Sequence, residues 1–149
     1  LSFDAATSAR LLARVDSDRD GALDPEEADA LTTEITTSLG THGFFTEIRI
    51  ADRSVALAAP VAADTSMQSG HIVLRMAFAV PQPAMLQDGA RLELMLRDRD
   101  LTLAFRFARV QPLILRGDQG RCSTAIAPKP DAAYFGGLVT PDVAVLTCR

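Results

Sequence analysis

The sequence predicts an α+β protein: an N-terminal EF-hand helix-loop-helix packed on an antiparallel β-sandwich of about seven strands. Three observations lead there. Residues 16 to 27 carry side-chain oxygens at the spacing of a calcium loop, and the apolar residues on either side of that segment recur every three or four positions. From Gly43 onward the apolar period falls to two. The expected domains are therefore a single EF-hand over 1–40 and a sandwich over 43–149.

The loop reads Asp16-Ser17-Asp18-Arg19-Asp20-Gly21-Ala22-Leu23-Asp24-Pro25-Glu26-Glu27. A calcium ion takes six to eight oxygens at roughly 2.3–2.6 Å in a flexible cage. Asp16, Asp18 and Asp20 offer carboxylates at loop positions 1, 3 and 5, Ala22 a main-chain carbonyl at 7, Asp24 a carboxylate at 9 acting through water, and Glu27 a bidentate carboxylate at 12. Gly21 stands where the chain must turn sharply, a conformation that a Cβ would penalise. The expected metal is Ca2+, held by those six residues; a solvated acidic turn between two helices is the alternative.

The flanks agree with a helix on each side. Leu11, Leu12 and Val15 share one stripe of the segment from Phe3 to Val15, and Ala28, Leu31, Ile35 and Leu39 share another on the exit side. Asp24 is placed to cap the second helix, Pro25 suits its first turn, and Glu27 stands three residues after the cap as in a capping box. Gly40 is expected to close that helix in a left-handed conformation.

Beyond the helices the chain reads as short strands. Phe45, Ile48 and Ile50 lie in the first, and Val55 and Leu57 in a second that Pro60 ends. Ile72, Leu74, Met76, Phe78 and Val80 alternate along a third, stopped by Pro81 and Pro83, and Asp88-Gly89 turns into the next. Leu92, Leu94 and Leu96 are expected to form a hairpin with Leu101, Leu103, Phe105 and Phe107 through the charged turn at 97–100. Leu113 to Leu115, Cys122 to Ile126 and Val143 to Cys148 supply three more, so that turn signals about ten residues apart suggest a sandwich. The aperiodic stretch 128–141 holds Tyr134 and Phe135, whose rings are expected to cover an open end of the sheets.

Charge and composition narrow the function. Residues 1–40 hold nine acids and three arginines, net −6, while 41–149 hold ten acids and twelve bases, net +2. A nucleic-acid binder would show a basic stripe interleaved with stacking aromatics; here Trp is absent and Tyr134 is the one Tyr. No run of eighteen apolar residues exists, so no membrane span is expected. The chain begins at Leu1 without an initiator Met or a basic-then-apolar leader, and is expected to be a mature or trimmed form. Cys122 and Cys148, the two cysteines, are expected to pair. Two free thiols of a cytosolic protein are the alternative, disfavoured because a weak EF-hand suits a compartment with calcium near millimolar. No nucleophile elbow, phosphate-binding Gly loop or His-Glu-His zinc pattern is present, so catalysis is not expected.

A lone EF-hand lacks the twin loop that usually pairs with it, leaving Leu23 at loop position 8 in need of a neighbour. The edge of the sandwich in a monomer is favoured, and the same loop of a second copy in a homodimer is the alternative. An unpaired loop is less preorganised, which sets the expected Kd at roughly 10⁻⁴ to 10⁻³ M.

Phe3-Asp4, the loop from Asp16 to Glu27, the long second helix, the run Thr41-His42-Gly43-Phe44-Phe45-Thr46-Glu47-Ile48-Arg49 and, further on, Cys122 with Pro128-Lys129-Pro130 together resemble an uncharacterised bacterial family. It is described as periplasmic components of ABC-type transport systems, the domain of unknown function numbered one thousand and seven. The resemblance implies a periplasmic protein associated with a nickel, cobalt or zinc transporter subunit. Members commonly begin with a His-Pro-His segment, which this chain lacks; its two histidines, His42 and His71, stand apart from any other metal-ligating spacing. The family's Asp-Pro-aromatic segment is also replaced by Arg99-Asp100-Leu101-Thr102. The expected function is thus a non-catalytic periplasmic calcium-binding protein, accessory to or solute-binding in a metal transport system, with calcium in a structural role. The alternative is an adhesion or protein-interaction module rigidified by calcium.

Overall fold

The computed structural model describes residues 1–51, 53–80, 89, 91–98, 100, 105–116 and 121–148. It is α+β, with two helices and, among the described residues, seven strands in two antiparallel sheets. The helices are α1 (Ala5–Val15) and α2 (Pro25–Gly40). The strands are β1 (Thr46–Ile50), β2 (Arg53–Val55), β3 (Ala62–Gln68), β4 (His71–Ala77), β5 (Arg91–Leu96), β6 (Cys122–Pro128) and β7 (Asp142–Cys148). The backbone clusters into two units, Leu1–Thr41 with Ala58–Ala79, and His42–Leu57 with Val80–Arg149. The hairpin β3–β4 is thus grouped with the helices.

In the first unit α1 starts at Asp4, whose carboxylate accepts from Thr7 N–H and Thr7 Oγ1, both at 2.8 Å. Helix α2 starts at Asp24 with the capping box and with Pro25 in its first turn. Its buried stripe is Leu31, Ile35 and Leu39. Strands β3 and β4 pair along their whole length, Met67 opposite Ile72 and Thr65 opposite Leu74. Because successive side chains alternate across a strand, these four share the face that α2 and α1 cover, and Ile72 and Leu74 are fully buried there. The hydroxyl of Thr32 lies 2.7 Å from that of Thr65, tying α2 to β3 through a polar contact that β-branched side chains hold stiffly. On the wet face Arg75 pairs with Asp64 at 3.2 Å. The connection is a two-residue turn in which Ser69 (φ 50°) and Gly70 (φ 79°) are both left-handed, the conformation whose twist matches antiparallel strands.

The segment before α1 runs along β4. Leu74 N–H donates to Leu1 O at 2.8 Å and Phe3 N–H to Ile72 O at 3.0 Å. Ser8, only 1% exposed, accepts from Ile72 N–H at 2.9 Å, so its buried hydroxyl is satisfied. The Nδ1 atom of His71 lies 2.8 Å from Phe3 O.

The second unit is built on a five-stranded sheet in the order β2-β1-β5-β7-β6. Register places Ile48 opposite Leu94 and Leu94 opposite Ala144, and on the neighbouring rung Ile50 opposite Leu92 and Leu92 opposite Leu146. That face is apolar. The other carries Glu47, Arg49, Glu93 and Met95, with Arg49 opposite Glu93. Glu93 is held by Lys129, which donates to it at 3.1 Å, and by Arg91 at 2.8 Å. The Lys129 hydrogen bond comes first among the causes that hold the Glu93 carboxyl below the usual carboxylate range. Cys122 and Cys148 are register partners at the ends of β6 and β7 and form a disulfide.

Four expectations require correction. Strand β5 is flanked by β1 and β7, so both its edges are occupied, and the expected hairpin is not among the strand pairs of the described residues. Phe105 and Phe107 are in irregular backbone, while Leu101 and Leu103 lie outside the described residues, as do Pro81, Pro83 and Asp88. Leu113–Leu115 are not a strand either; they border an apolar cleft over Leu92, Leu94 and Leu146, with Leu113 and Leu115 half-buried and Ile114 exposed. Gly40 lies inside α2, and the left-handed residues come later, at Gly43 (φ 61°), Phe44 (φ 57°) and Phe45 (φ 51°). Finally, Phe78 and Val80 fall beyond β4, and β3 had no expected counterpart because Ala62–Gln68 lacks an apolar alternation. Of the two loop rings, Tyr134 is buried and Phe135 is half exposed.

The disulfide joins residues 26 apart. Its loss in a Cys122→Ser/Cys148→Ser variant should cost about 3.5 kcal/mol by loop-closure entropy, read as a lower urea midpoint. The contribution of Glu93 is present above the ordinary carboxylate pKa and is lost as pH falls through its lowered folded value. A Lys129→Met variant should therefore differ most from the parent near neutral pH and converge with it in acid, as urea titrations across pH would record.

Candidate metal centre

Between α1 and α2 the backbone folds around its own carboxylates. Asp16 closes α1, its N–H donating to Leu12 O at 2.9 Å. Its Oδ2 then accepts from Gly21 N–H at 3.1 Å, five residues on. Asp18 Oδ1 accepts from Asp20 N–H at 3.2 Å and Asp20 Oδ1 from Ala22 N–H at 2.7 Å. Asp18 and Asp20 thus each bond the backbone two residues ahead, the local geometry that disfavours helix and fixes a turn. Arg19 (φ 63°) and Gly21 (φ 76°) are left-handed, and at Gly21 the missing Cβ makes that conformation inexpensive.

Glu27 closes the loop from the helix side. It is 5% exposed, and a buried carboxylate is tolerated only where donors surround it. Oε1 accepts from Ser17 N–H at 2.7 Å and from Ser17 Oγ at 3.2 Å, and Oε2 from Asp24 N–H at 3.3 Å. Asp24 Oδ1 in turn accepts from Glu27 N–H at 2.9 Å.

The outcome is a convergence of three carboxylates. Oxygens of Asp16, Asp18 and Glu27 all lie within 4.8 Å of one another. Oxygens arranged about one ion at 2.3–2.6 Å would be separated by at most about twice that distance, so this spacing fits a shared hard cation. Asp16 Oδ1 is buried and has no hydrogen-bond partner, an acceptor facing no donor. Of the residues named from the sequence, then, Asp16, Asp18 and Glu27 are brought together. Asp20 and Asp24 lie outside the trio and are engaged in the turn and the cap, and Ala22 contributes its N–H to Asp20. Leu23 is half-buried and belongs to no strand pairing among the described residues. His42 and His71 are not part of the group: His42 stacks on Phe45 at 5.6 Å and faces Asp100 at 3.4 Å, and His71 faces Phe3. Ser17 is the residue that spacing alone did not single out; its position after the first acid gave no signal that it holds Glu27.

The capping box is separable from metal binding. In chelator, Asp24→Ala should lower stability by about 1 kcal/mol through loss of the cap, with Asp24→Ser recovering most of it in thermal unfolding.

No helix among the described residues is long and apolar enough to cross a membrane. Neither the curated proteins nor the solved structures contain a significant match to the chain. A family model described as "Protein of unknown function (DUF1007)" does match, over residues 2–137, a span that takes in both helices, the acidic loop and the first six strands. The chain therefore belongs to that family.

Proposed function

We propose that residues 16–27 form a single EF-hand calcium loop and that the protein is a non-catalytic, periplasmic calcium-binding protein in which the ion has a structural role. The observation that carries this reading is the convergence of Asp16, Asp18 and Glu27 within 4.8 Å, with one acceptor of Asp16 left buried and unmatched. Asp20 and Asp24, and the carbonyl of Ala22, complete the ligand set when the ion draws the loop in. Calcium supplies no chemistry here beyond charge neutralisation. It offsets the repulsion of clustered carboxylates and fixes the angle at which α2 leaves the loop, and with it the stripe Leu31, Ile35 and Leu39 that closes the core of its unit.

A compartment with calcium near millimolar suits a loop of the affinity expected for an unpaired EF-hand, and the Cys122–Cys148 disulfide supports an oxidising one. We place the protein in the periplasm as an accessory or solute-binding component of a metal transport system, working as a monomer with a transporter subunit as partner. At calcium ten times Kd the ion would stabilise the fold by about 1.4 kcal/mol, which is a clamp and not a strong switch.

Calorimetric titration of the apo protein should give one site with Kd of roughly 10⁻⁴ to 10⁻³ M. Asp16→Ala and Glu27→Gln should each abolish the heat while leaving far-ultraviolet circular dichroism intact. Unchanged affinity in either variant would contradict the assignment. Capture of a transporter subunit by the calcium-loaded protein from periplasmic extract would support the transport role, and capture of surface polymers alone would oppose it.

A further inference from the structure

The charged face of the five-stranded sheet ends in a cleft of 190 Å³, bordered by Glu47 and Arg49 of β1, Glu93 of β5, Arg97 just after it, and Lys129 and Asp131 from the segment following β6. Most of these charges are already engaged. Glu93 is bonded by Lys129 and Arg91, Lys129 also lies 4.0 Å from Asp131, and Glu47 and Arg49 have partners of their own. Arg97 differs. Its Nε is buried and donates to no acceptor, and among the described residues it makes no ion pair. Its guanidinium carbon lies 6.0 Å from the ring centroid of Tyr134, itself 7% exposed, so the aromatic face steadies the cation without using its in-plane N–H groups. The backbone next to it is also fixed, with Arg97 N–H donating to Phe45 O at 2.8 Å.

We propose that this cleft binds a small monocarboxylate, with Arg97 as its anchor. A planar guanidinium matches a carboxylate through two parallel, charge-assisted hydrogen bonds, and at Arg97 the Nε–H is the donor that lacks an acceptor. A buried donor left without an acceptor is costly, and a ligand carboxylate removes that cost. The sign and size of the ligand follow from the walls. Glu47, Glu93 and Asp131 balance Arg49, Lys129 and Arg97 around the cleft, so a single added negative charge is matched by the Arg97 guanidinium while a phosphate dianion leaves an excess beside three carboxylates. The volume is below that of pockets for drug-sized ligands and suits a molecule of a few heavy atoms. None of these residues belongs to the acidic loop, so the site stands or falls independently of calcium.

The test is a titration of arginine-labelled protein with acetate, followed through the Arg97 Nε–H resonance in nitrogen-15 NMR, with phosphate as the comparison anion. Saturable movement of that resonance with acetate, weakened about tenfold or more in Arg97→Gln when followed through the Glu47 and Tyr134 amides, supports the site. Since the parent titration needs no variant, poor folding of Arg97→Gln leaves the result readable. An unmoved Arg97 Nε–H at acetate concentrations that fill a millimolar site overturns the proposal, and so does equal or tighter binding of phosphate.

Discussion

A carboxylate buried to 5% exposure must be surrounded by donors, and the placement of Glu27 is the constraint around which the first unit is arranged. One of its oxygens takes the N–H and hydroxyl of Ser17, and the other takes the N–H that opens α2. A single side chain thus joins the end of α1, the acidic loop and the first turn of α2. One oxygen of that carboxylate converges with oxygens of Asp16 and Asp18, so the bond network that shapes the loop also gathers its negative charge. That charge is an electrostatic cost of the arrangement, and the proposed calcium reading rests on a hard cation offsetting it.

From the loop, the consequence runs through α2 into the hairpin. Leu31, Ile35 and Leu39 lie on the stripe that Glu27 begins, and Thr32 carries α2 onto Thr65 of β3. The β3–β4 hairpin is what covers the two helices. The second unit solves a different problem. Its sheet has an apolar face and a charged face, and on the charged one Glu93 with Lys129 is neutralised internally while Arg97 over Tyr134 is not.

The helices, the capping box, the acidic loop and the cysteine pair were legible in the sequence because each rests on local chemistry: a fixed spacing of oxygens, a cap three residues before its partner, or two cysteines with one possible pairing. Strands were legible where alternation was strong, as at Ile72 and Leu74 or Leu92 and Leu94. Strand β3 was not, since Ala62–Gln68 is small and polar and owes its conformation to the Ser69-Gly70 turn and to a full-length partner. The hairpin expected after β5 is a different case. Its alternation is real, but β1 and β7 from distant parts of the chain occupy both edges of β5, a long-range choice that no local pattern encodes. Ser17 and Arg97 were invisible for a similar cause, because their roles depend on what the fold brings beside them.

The most direct test of the calcium account is the amide of Gly21 in a calcium titration followed by proton–nitrogen NMR. That N–H donates to Asp16 Oδ2 at 3.1 Å, so an ion captured by Asp16 must change its polarisation. The account predicts that the Gly21 and Ser17 amides move together and saturate with one site, and that neither moves in Asp16→Ala. Loop amides unmoved at saturating calcium, or moving equally in that variant, would contradict it.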